Sequence, residues 1–417
     1  MKKIFILIYL LSIFTGCSDE IKTEKYPIID LVGSVEKYQR VFCSDYFSSI
    51  DLIPLETNEE CLLRIGPSPK IILKDSFIFM SGDCLYAFDR SGKFLNQIGR
   101  KGQGPGEYLY SSSFFLNTDK SVLYVEDLYK ILEYDSNGNH IRTMHTPKLN
   151  DKGLINLSYV GDDLFIGSMF NDGKNKYKYC LFDKNGEISE CFPNYVFFNR
   201  EKERASTYDR ALDPIHVDNQ LYLKDYINDT LYSLEKSKLQ PAYIFELGKY
   251  SYPIEYLETF NIENPHPLNS FIFGTGLGIV GTPKFFFYNI RVPDLFSKPK
   301  AKPRYSPLLN KLIPNESYVY GIYNIEQKTN ILLDTDEHFQ KGFVNDLNGG
   351  LPFIPKYYAG NNIVVDVWFP EDMKEMLSEE YFASQTIKDQ QVYQKLKELL
   401  KDLKEDDNPV VVVAKLK

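Results

Sequence analysis

The sequence predicts an all-β protein: a six-bladed β-propeller of four-stranded blades, with a C-terminal helix on the rim and a terminal strand closing the last blade. Three observations predict it. A phrase of aromatic, Asp, two residues, Gly, one residue, apolar comes back three times: Phe88-Asp89-Arg90-Ser91-Gly92-Lys93-Phe94, then Tyr134-Asp135-Ser136-Asn137-Gly138-Asn139-His140-Ile141 with one extra residue, then Phe182-Asp183-Lys184-Asn185-Gly186-Glu187-Ile188. Ser-Gly and Asn-Gly between apolar runs mark hairpin turns, because Gly takes φ > 0 at no steric cost. The aspartates stand 46 and 48 residues apart, a spacing that fits one propeller blade. Composition agrees: 31 Tyr and 29 Phe against a single Trp favour strands over helices. Finally, Val410-Val411-Val412-Val413 follows Pro409 and is too short and β-branched for a helix. A last strand that pairs with an early one leaves no exposed edge.

The chain begins with Lys2 and Lys3 and an apolar run over residues 4–14, too short to span a bilayer but right for a signal-peptide core. Thr15-Gly16-Cys17 follows. Small residues directly before a Cys resemble the bacterial lipobox, with Phe14 where an aliphatic residue is usual, so Cys17 is the expected lipidation site. Ser18-Asp19-Glu20 resembles the acidic export tag of surface-displayed lipoproteins and favours the surface over a periplasm-facing position. The expected organisation is a signal peptide over 1–16, a lipidated tether over 17–26 and a propeller over 27–417. A net charge of −9 and a pI of about 5.3 leave no nucleic-acid footprint. An acidic chain also has no general attraction to anionic lipid, so membrane attachment rests on the lipid alone.

Five further cysteines rule out a fully paired framework. Counting outward from a two-residue Asn185-Gly186 turn places Cys180 opposite Cys191 in a hydrogen-bonded pair. Cα atoms there stand about 5.5 Å apart, a spacing at which a disulfide can form but is not favoured, and two buried thiols are the plainer expectation. No CxxC and no Cys/His cluster at zinc spacing occurs.

Taken in order, residues 49–57 read as an early strand. Ile71-Ile72-Leu73, Phe77-Ile78-Phe79-Met80, Cys84-Leu85-Tyr86-Ala87-Phe88 and residues 94–98 make the four strands of blade one. Gly99-Arg100-Lys101-Gly102-Gln103-Gly104-Pro105-Gly106-Glu107-Tyr108 comes next. It lacks both Gly-x-Gly-x-x-Gly and a Gly-Lys-Ser/Thr ending, and no helix follows to receive an anion. It reads as a tight passage between blades. The phrase resembles the interblade segment of NHL/TolB-like propellers. More closely, it resembles the six-bladed β-propeller lipoproteins of anaerobic Gram-negative gut bacteria. Asp51-Leu52-Ile53-Pro54-Leu55-Glu56-Thr57, residues 342–353 and residues 407–417 match the same family, so the resemblance covers nearly the whole mature chain. It implies an envelope lipoprotein and carries over no catalytic residue.

Blade two takes residues 122–125, 131–134 and 141–144, and blade three takes 164–167 and 177–182. Blade four takes 220–223, 230–234 and 243–247, its repeat phrase reduced to Tyr232-Ser233-Leu234-Glu235. Blade five uses 271–280, 285–290, 318–325 and 330–333, interrupted over 291–307 by a Pro- and Lys-rich exposed insertion. Blade six should use the residues around 361–368. A helical segment over about 371–406 follows. Ser384 is the expected N-cap, and Val392, Leu396, Leu399, Leu400 and Leu403 share one face.

Chemistry is sparse. The histidines, His140, His145, His216, His266 and His338, have no partner at metal spacing and read as surface or loop residues, His140 in a turn. No Gly-x-Ser-x-Gly elbow appears. The repeated aspartates read as turn residues rather than calcium ligands, so no cofactor is expected, calcium being the one open option. Propellers bind ligands at a channel mouth, and the long loops 198–212, 291–307 and 345–355 are the candidates. Arg200, Arg204, Tyr208 and Arg210 in the first, with Lys298, Lys300, Lys302 and Arg304 in the second, form basic loops on an acidic protein. The expected function is a lipid-anchored binding or scaffolding module for a glycan, peptide or protein partner at the envelope. The alternative is a metal-dependent lactonase, lyase or glycan-cleaving enzyme.

Overall fold

Each repeat phrase folds into the same tight hairpin. The Asp89, Asp135 and Asp183 N–H groups donate to the Lys93, Asn139 and Glu187 carbonyls, and Gly92, Gly138 and Gly186 sit at φ of +87°, +82° and +80°. This is a three-residue loop with a bulge rather than a two-residue turn, and each hairpin carries a register shift just before it. The computed structural model describes residues 26–64, 69–111, 113–117, 122–149, 151–199, 211–259, 270–306, 311–313 and 318–417.

Six antiparallel sheets follow, arranged as the blades of a propeller. From the channel outward, blade one is Ile71–Lys74, Phe77–Ser81, Leu85–Asp89 and Phe94–Ile98. Blade two is Phe114–Asn117, Val122–Asp127, Lys130–Tyr134 and His140–His145; blade three is Ile155–Gly161, Leu164–Ser168, Tyr177–Asp183 and Ile188–Pro193. Blade four is Ile215–Val217, Gln220–Lys224, Thr230–Glu235 and Lys238–Glu246; blade five is Phe273–Gly281, Phe285–Arg291, Tyr318–Asn324 and Thr329–Leu332. Blade six joins Tyr357–Tyr358 and Ile363–Trp368 to the terminal strand Val410–Leu416, and Phe47–Pro54 covers its outer edge. Val413 stands opposite both Asp51 and Val365, so the two ends of the chain close the ring in one sheet, as the sequence predicts.

The core is divided into wedges between neighbouring blades. Val365, Val367 and Val411 of blade six pack on Ile71, Leu73 and Met80 of blade one. Phe79, Leu85 and Ile98 pack on Phe114, Leu123 and Tyr134 of blade two. Similar clusters lie between the remaining neighbours, the largest between blades five and six. The Gly-rich passage seals one wedge. The buried Tyr108 donates to the Ile98 carbonyl at 2.7 Å and accepts from the Leu85 N–H at 2.9 Å, and a Cβ on Gly99 would lie 2.7 Å from the Tyr134 ring. Both reasons for this phrase are structural, as the sequence suggests.

Several expectations are corrected. Cys180 and Cys191 are disulfide-bonded. They are opposite, but the bulge at Ser189 changes the pair type and brings the Cα atoms to 4.1 Å, the close spacing of a non-hydrogen-bonded pair. His140 begins a strand rather than sitting in the turn. The helical segment is three helices, Pro370–Met376, Glu379–Ser384 and Gln390–Asp402. Ser384 ends the second, and Asp389 caps the third by accepting from the Gln391 and Val392 N–H groups. Within 291–307, Val292 and Pro293 are buried, and Arg304–Ser306 pairs with Lys311–Ile313 in a small hairpin. An unforeseen strand, Ile28–Asp30, adds parallel to Lys238–Glu246 and gives blade four a fifth strand. From there the chain crosses blade five, bridging Gln39 to Leu333 and Phe42 to Val344, before entering blade six.

Candidate functional site

The connections are one-sided. First and second strands are joined by pairs such as Asp75-Ser76, Asp162-Asp163 and Asp218-Asn219, and third and fourth strands by the tight hairpins. The opposite connections, second to third strand and fourth strand to the next blade, carry everything long: 99–113, 194–214, 247–272, 292–317, 333–356 and the helices within 369–409. Exposed aromatics gather on this side, Tyr110, Tyr195 and Phe197 on the long segments and Tyr129 in the turn between the second and third strands of blade two, each between 47% and 64% accessible.

The channel between the inner strands opens at this side and is bridged at the other. Tyr358, ending the inner strand of blade six, donates to the Asp218 carboxylate at 3.0 Å, just past the inner strand of blade four. Above this bond lies a cavity of about 480 Å³, within the range of small-ligand pockets. At its entrance stand Lys70, Asp213 and Lys356, each just before an inner strand. Lys70 Nζ lies 3.4 Å from Asp213 Oδ2 and over the Phe114 ring. Lys356 Nζ lies 3.1 Å from the buried Asp366 and donates to the Val367 carbonyl. A second chamber of about 240 Å³ opens from the same three residues toward blades five and six. Its walls are mostly apolar: Val280, Phe287, Ile322, Leu333, Phe343 and Phe353. The inner strand of blade five bulges between Gly274 and Ile279, and Gly278, at φ +72°, borders both spaces.

Deeper in the channel, Ser158 Oγ and His216 Nε2 stand 2.5 Å apart, joining blades three and four. The Ser158 position depends on a bulge that Glu126 of blade two holds. Its carboxylate accepts from the Asn156 and Leu157 N–H groups and from the Ser113 hydroxyl at 2.9–3.1 Å. Burial raises the Glu126 pKa. His216 is exposed on the channel side yet ringed closely by protein; desolvation, then the Lys70 charge, lowers its pKa to about 4. The imidazole is therefore neutral at pH 7. Ser158 is only 2% accessible, so this pair reads as a cross-blade tie. Sequence reasoning placed His216 on the surface or in a loop; it belongs to the inner strand Ile215–Val217.

The predicted site residues fare unevenly. Cys17, Arg200, Arg204, Tyr208 and Arg210 lie outside the described residues. Arg304 lies in the small hairpin, opposite Ile313, and Lys298 is ion-paired to Asp294. Loop 345–355 is largely packed rather than exposed, and its Phe353, Ile354 and Pro355 line the second chamber. Asn345, Asp346, Leu347, Asn348, Leu351 and Phe353 are buried, with Asp346 accepting from the Ser44 N–H and pairing with Lys388. Lys70, Asp213 and Lys356 belong to no motif; their only signal is position, one or two residues ahead of an inner strand. The repeated aspartates bond their own turns, and among the described residues no three His, Cys, Asp or Glu side chains gather to hold a metal ion. Among the described residues no helix is long and apolar enough to cross a membrane.

These features define a six-bladed propeller with one elaborated, open mouth. The chain belongs to the family described as Domain of unknown function (DUF4934), whose model matches residues 26–415. No curated protein matches it. Among solved structures it is similar to a Bacteroides fragilis protein named as exported, with a TM-score of 0.64 and 17% identity over 94% of this chain and 99% of that one. It also matches a member of the duf4221 family from Bacteroides vulgatus, with a TM-score of 0.49 and 9% identity over 89% of this chain and 97% of that one.

Proposed function

We propose that this protein is a lipid-anchored binding module of the bacterial envelope, an outer-membrane lipoprotein of the NHL/TolB-like propeller kind, which captures a glycan, peptide or protein partner at its open mouth. The observation carrying this reading is the asymmetry of the ring: connections are pared to tight turns on one side, while the opposite side carries the long segments, the exposed aromatics and both cavities. Exposed Tyr and Phe on the side of the ring where a cavity opens suit recognition. The Thr15-Gly16-Cys17 sequence supports the anchor. The Cys180–Cys191 disulfide fits an oxidising compartment, as does the exported naming of the Bacteroides fragilis protein.

The test is a glycan and peptide library screened for retention by the full chain, with and without calcium. The Tyr195→Ala/Phe197→Ala variant should lose a retained ligand, and an outer-strand variant, Ile141→Ser/Ile188→Ser, should keep it. Retention indifferent to the mouth variant would overturn the reading. Cys17→Ser should abolish palmitate labelling and move the protein from the membrane to the soluble fraction; persistence in the membrane would remove the anchor.

A further inference from the structure

Two observations meet at the entrance residues. The first is a pair of ammonium groups with hydrogen-bonding capacity to spare. An ammonium donates three hydrogen bonds; Lys356 donates one to the Val367 carbonyl and is ion-paired to Asp366. Lys70 holds Asp213 only at 3.4 Å, and the Asp213 side chain is 68% accessible, so that ion pair is loose and solvated. The second is the apolar chamber opening directly beside them, closed in by Phe287, Phe343 and Phe353. At about 240 Å³ it is smaller than most whole-ligand pockets, which begin near 300 Å³. It suits one bulky apolar group.

We infer that the open mouth takes a carboxylate joined to an apolar group of side-chain size, the carboxylate bridging Lys70 and Lys356 and the apolar group filling the chamber between blades five and six. This rests on the reading of the mouth as a binding site and names its ligand chemistry. An incoming carboxylate replaces Asp213 on Lys70 and takes a further Lys356 donor, exchanging a solvated contact for a better enclosed one. Burying the apolar group adds the hydrophobic contribution. Such chemistry is found at the free C-terminus of a peptide and in a free hydrophobic acid.

Calorimetric titration of the full chain with N-acetylphenylalanine tests it, with its amide, 3-phenylpropanoate, a peptide ending in a free Phe carboxylate, and glucuronate as comparisons. N-acetylphenylalanine should bind and its amide should bind at least about tenfold more weakly, the scale of one charge-assisted hydrogen bond. Lys70→Gln should cause a similar loss, and Asp213→Asn should tighten binding several-fold by removing the competing carboxylate. Val280→Phe, which fills the chamber, should weaken N-acetylphenylalanine more than glucuronate. A peptide that binds more tightly than both small acids identifies a chain end as the ligand; 3-phenylpropanoate binding as tightly as the peptide identifies a free acid. The inference is overturned if the amide matches the acid, if glucuronate is preferred, if Lys70→Gln changes nothing, or if none of the acids binds saturably. Should the acids fail while a library ligand still depends on Tyr195 and Phe197, this inference falls and the mouth reading stands.

Discussion

In each repeated turn one aspartate oxygen accepts two backbone hydrogen bonds. Asp89 takes the Ser91 and Lys93 N–H groups, Asp135 those of Asn137 and Asn139, and Asp183 those of Asn185 and Glu187, all at 2.8–3.1 Å. These bonds favour the charged form. The Ser91 hydroxyl chiefly lowers the Asp89 pKa and the Glu187 N–H that of Asp183. At Asp135 desolvation opposes, and the Asn139 side chain and N–H outweigh it. The glycines matter twice, since a Cβ on Gly92 would lie 2.0 Å from the Pro54 carbonyl and one on Gly138 2.3 Å from that of Gln97, each on the preceding blade. Asp336 builds the same turn with Phe339 at φ +59° in place of the glycine, so no Asp-x-x-Gly signature exposes it to a reader of the sequence. Phe339 is 48% accessible. Phe339→Asn should therefore raise stability by up to about 1 kcal/mol, because Asn tolerates the left-handed region; denaturant unfolding checks this. Two pH effects follow. The lowered His216 pKa keeps stability intact above about pH 6.5 and lets it fall as pH drops toward 4, where the unfolded chain alone takes the proton. The turn aspartates add a further loss below about pH 4 as they protonate. Melting temperature against pH should flatten in the upper window for His216→Gln and in the lower for Asp89→Asn/Asp135→Asn/Asp183→Asn.

Among the elements, the strands were the most readable because alternation and turn chemistry are local. The helix caps were not. Ser384 and Asp389 are equally good N-cap types, and the choice is made by Asp346 and Leu347, whose carbonyls accept from the Lys388 and Asp389 N–H groups and hold the intervening residues extended. No sequence window contains both partners. The third helix then turns Leu396, with Leu399 and Leu400 packed beside it, into the large cluster between blades five and six. Leu396, wholly inaccessible, makes a clear test: Leu396→Ala should cost about 2–5 kcal/mol in denaturant unfolding. The disulfide ties the outer edge of blade three across its own hairpin. Reduction, or Cys180→Ser/Cys191→Ser, should lower stability by about 2–4 kcal/mol, less where the hairpin already restrains the unfolded chain.

For the whole molecule, closure was legible and the site was not. Pro409 followed by four valines announces a strand without a nearby partner, and only the early strand of the same chain needs one. Val410–Leu416 lies between Phe47–Pro54 and Ile363–Trp368, so its deletion unpairs both at once. A chain ending at Asn408 should show no cooperative melting transition and should aggregate, as checked by calorimetry and light scattering; a normal melt would disprove the closure role. The entrance trio of Lys70, Asp213 and Lys356 comes from three blades spread over the chain, and nothing local links them. Of the basic-loop residues expected to mark the mouth, Arg200, Arg204, Tyr208 and Arg210 lie outside the described residues.

The strand Ile28–Asp30 joins the ring on the outer flank of blade four, away from either opening. Tyr26, the first described residue, therefore stands at the flank of the ring, as a cleat sits on the hull of a boat rather than on its deck. A partner approaching the open end does not meet this strand on its path.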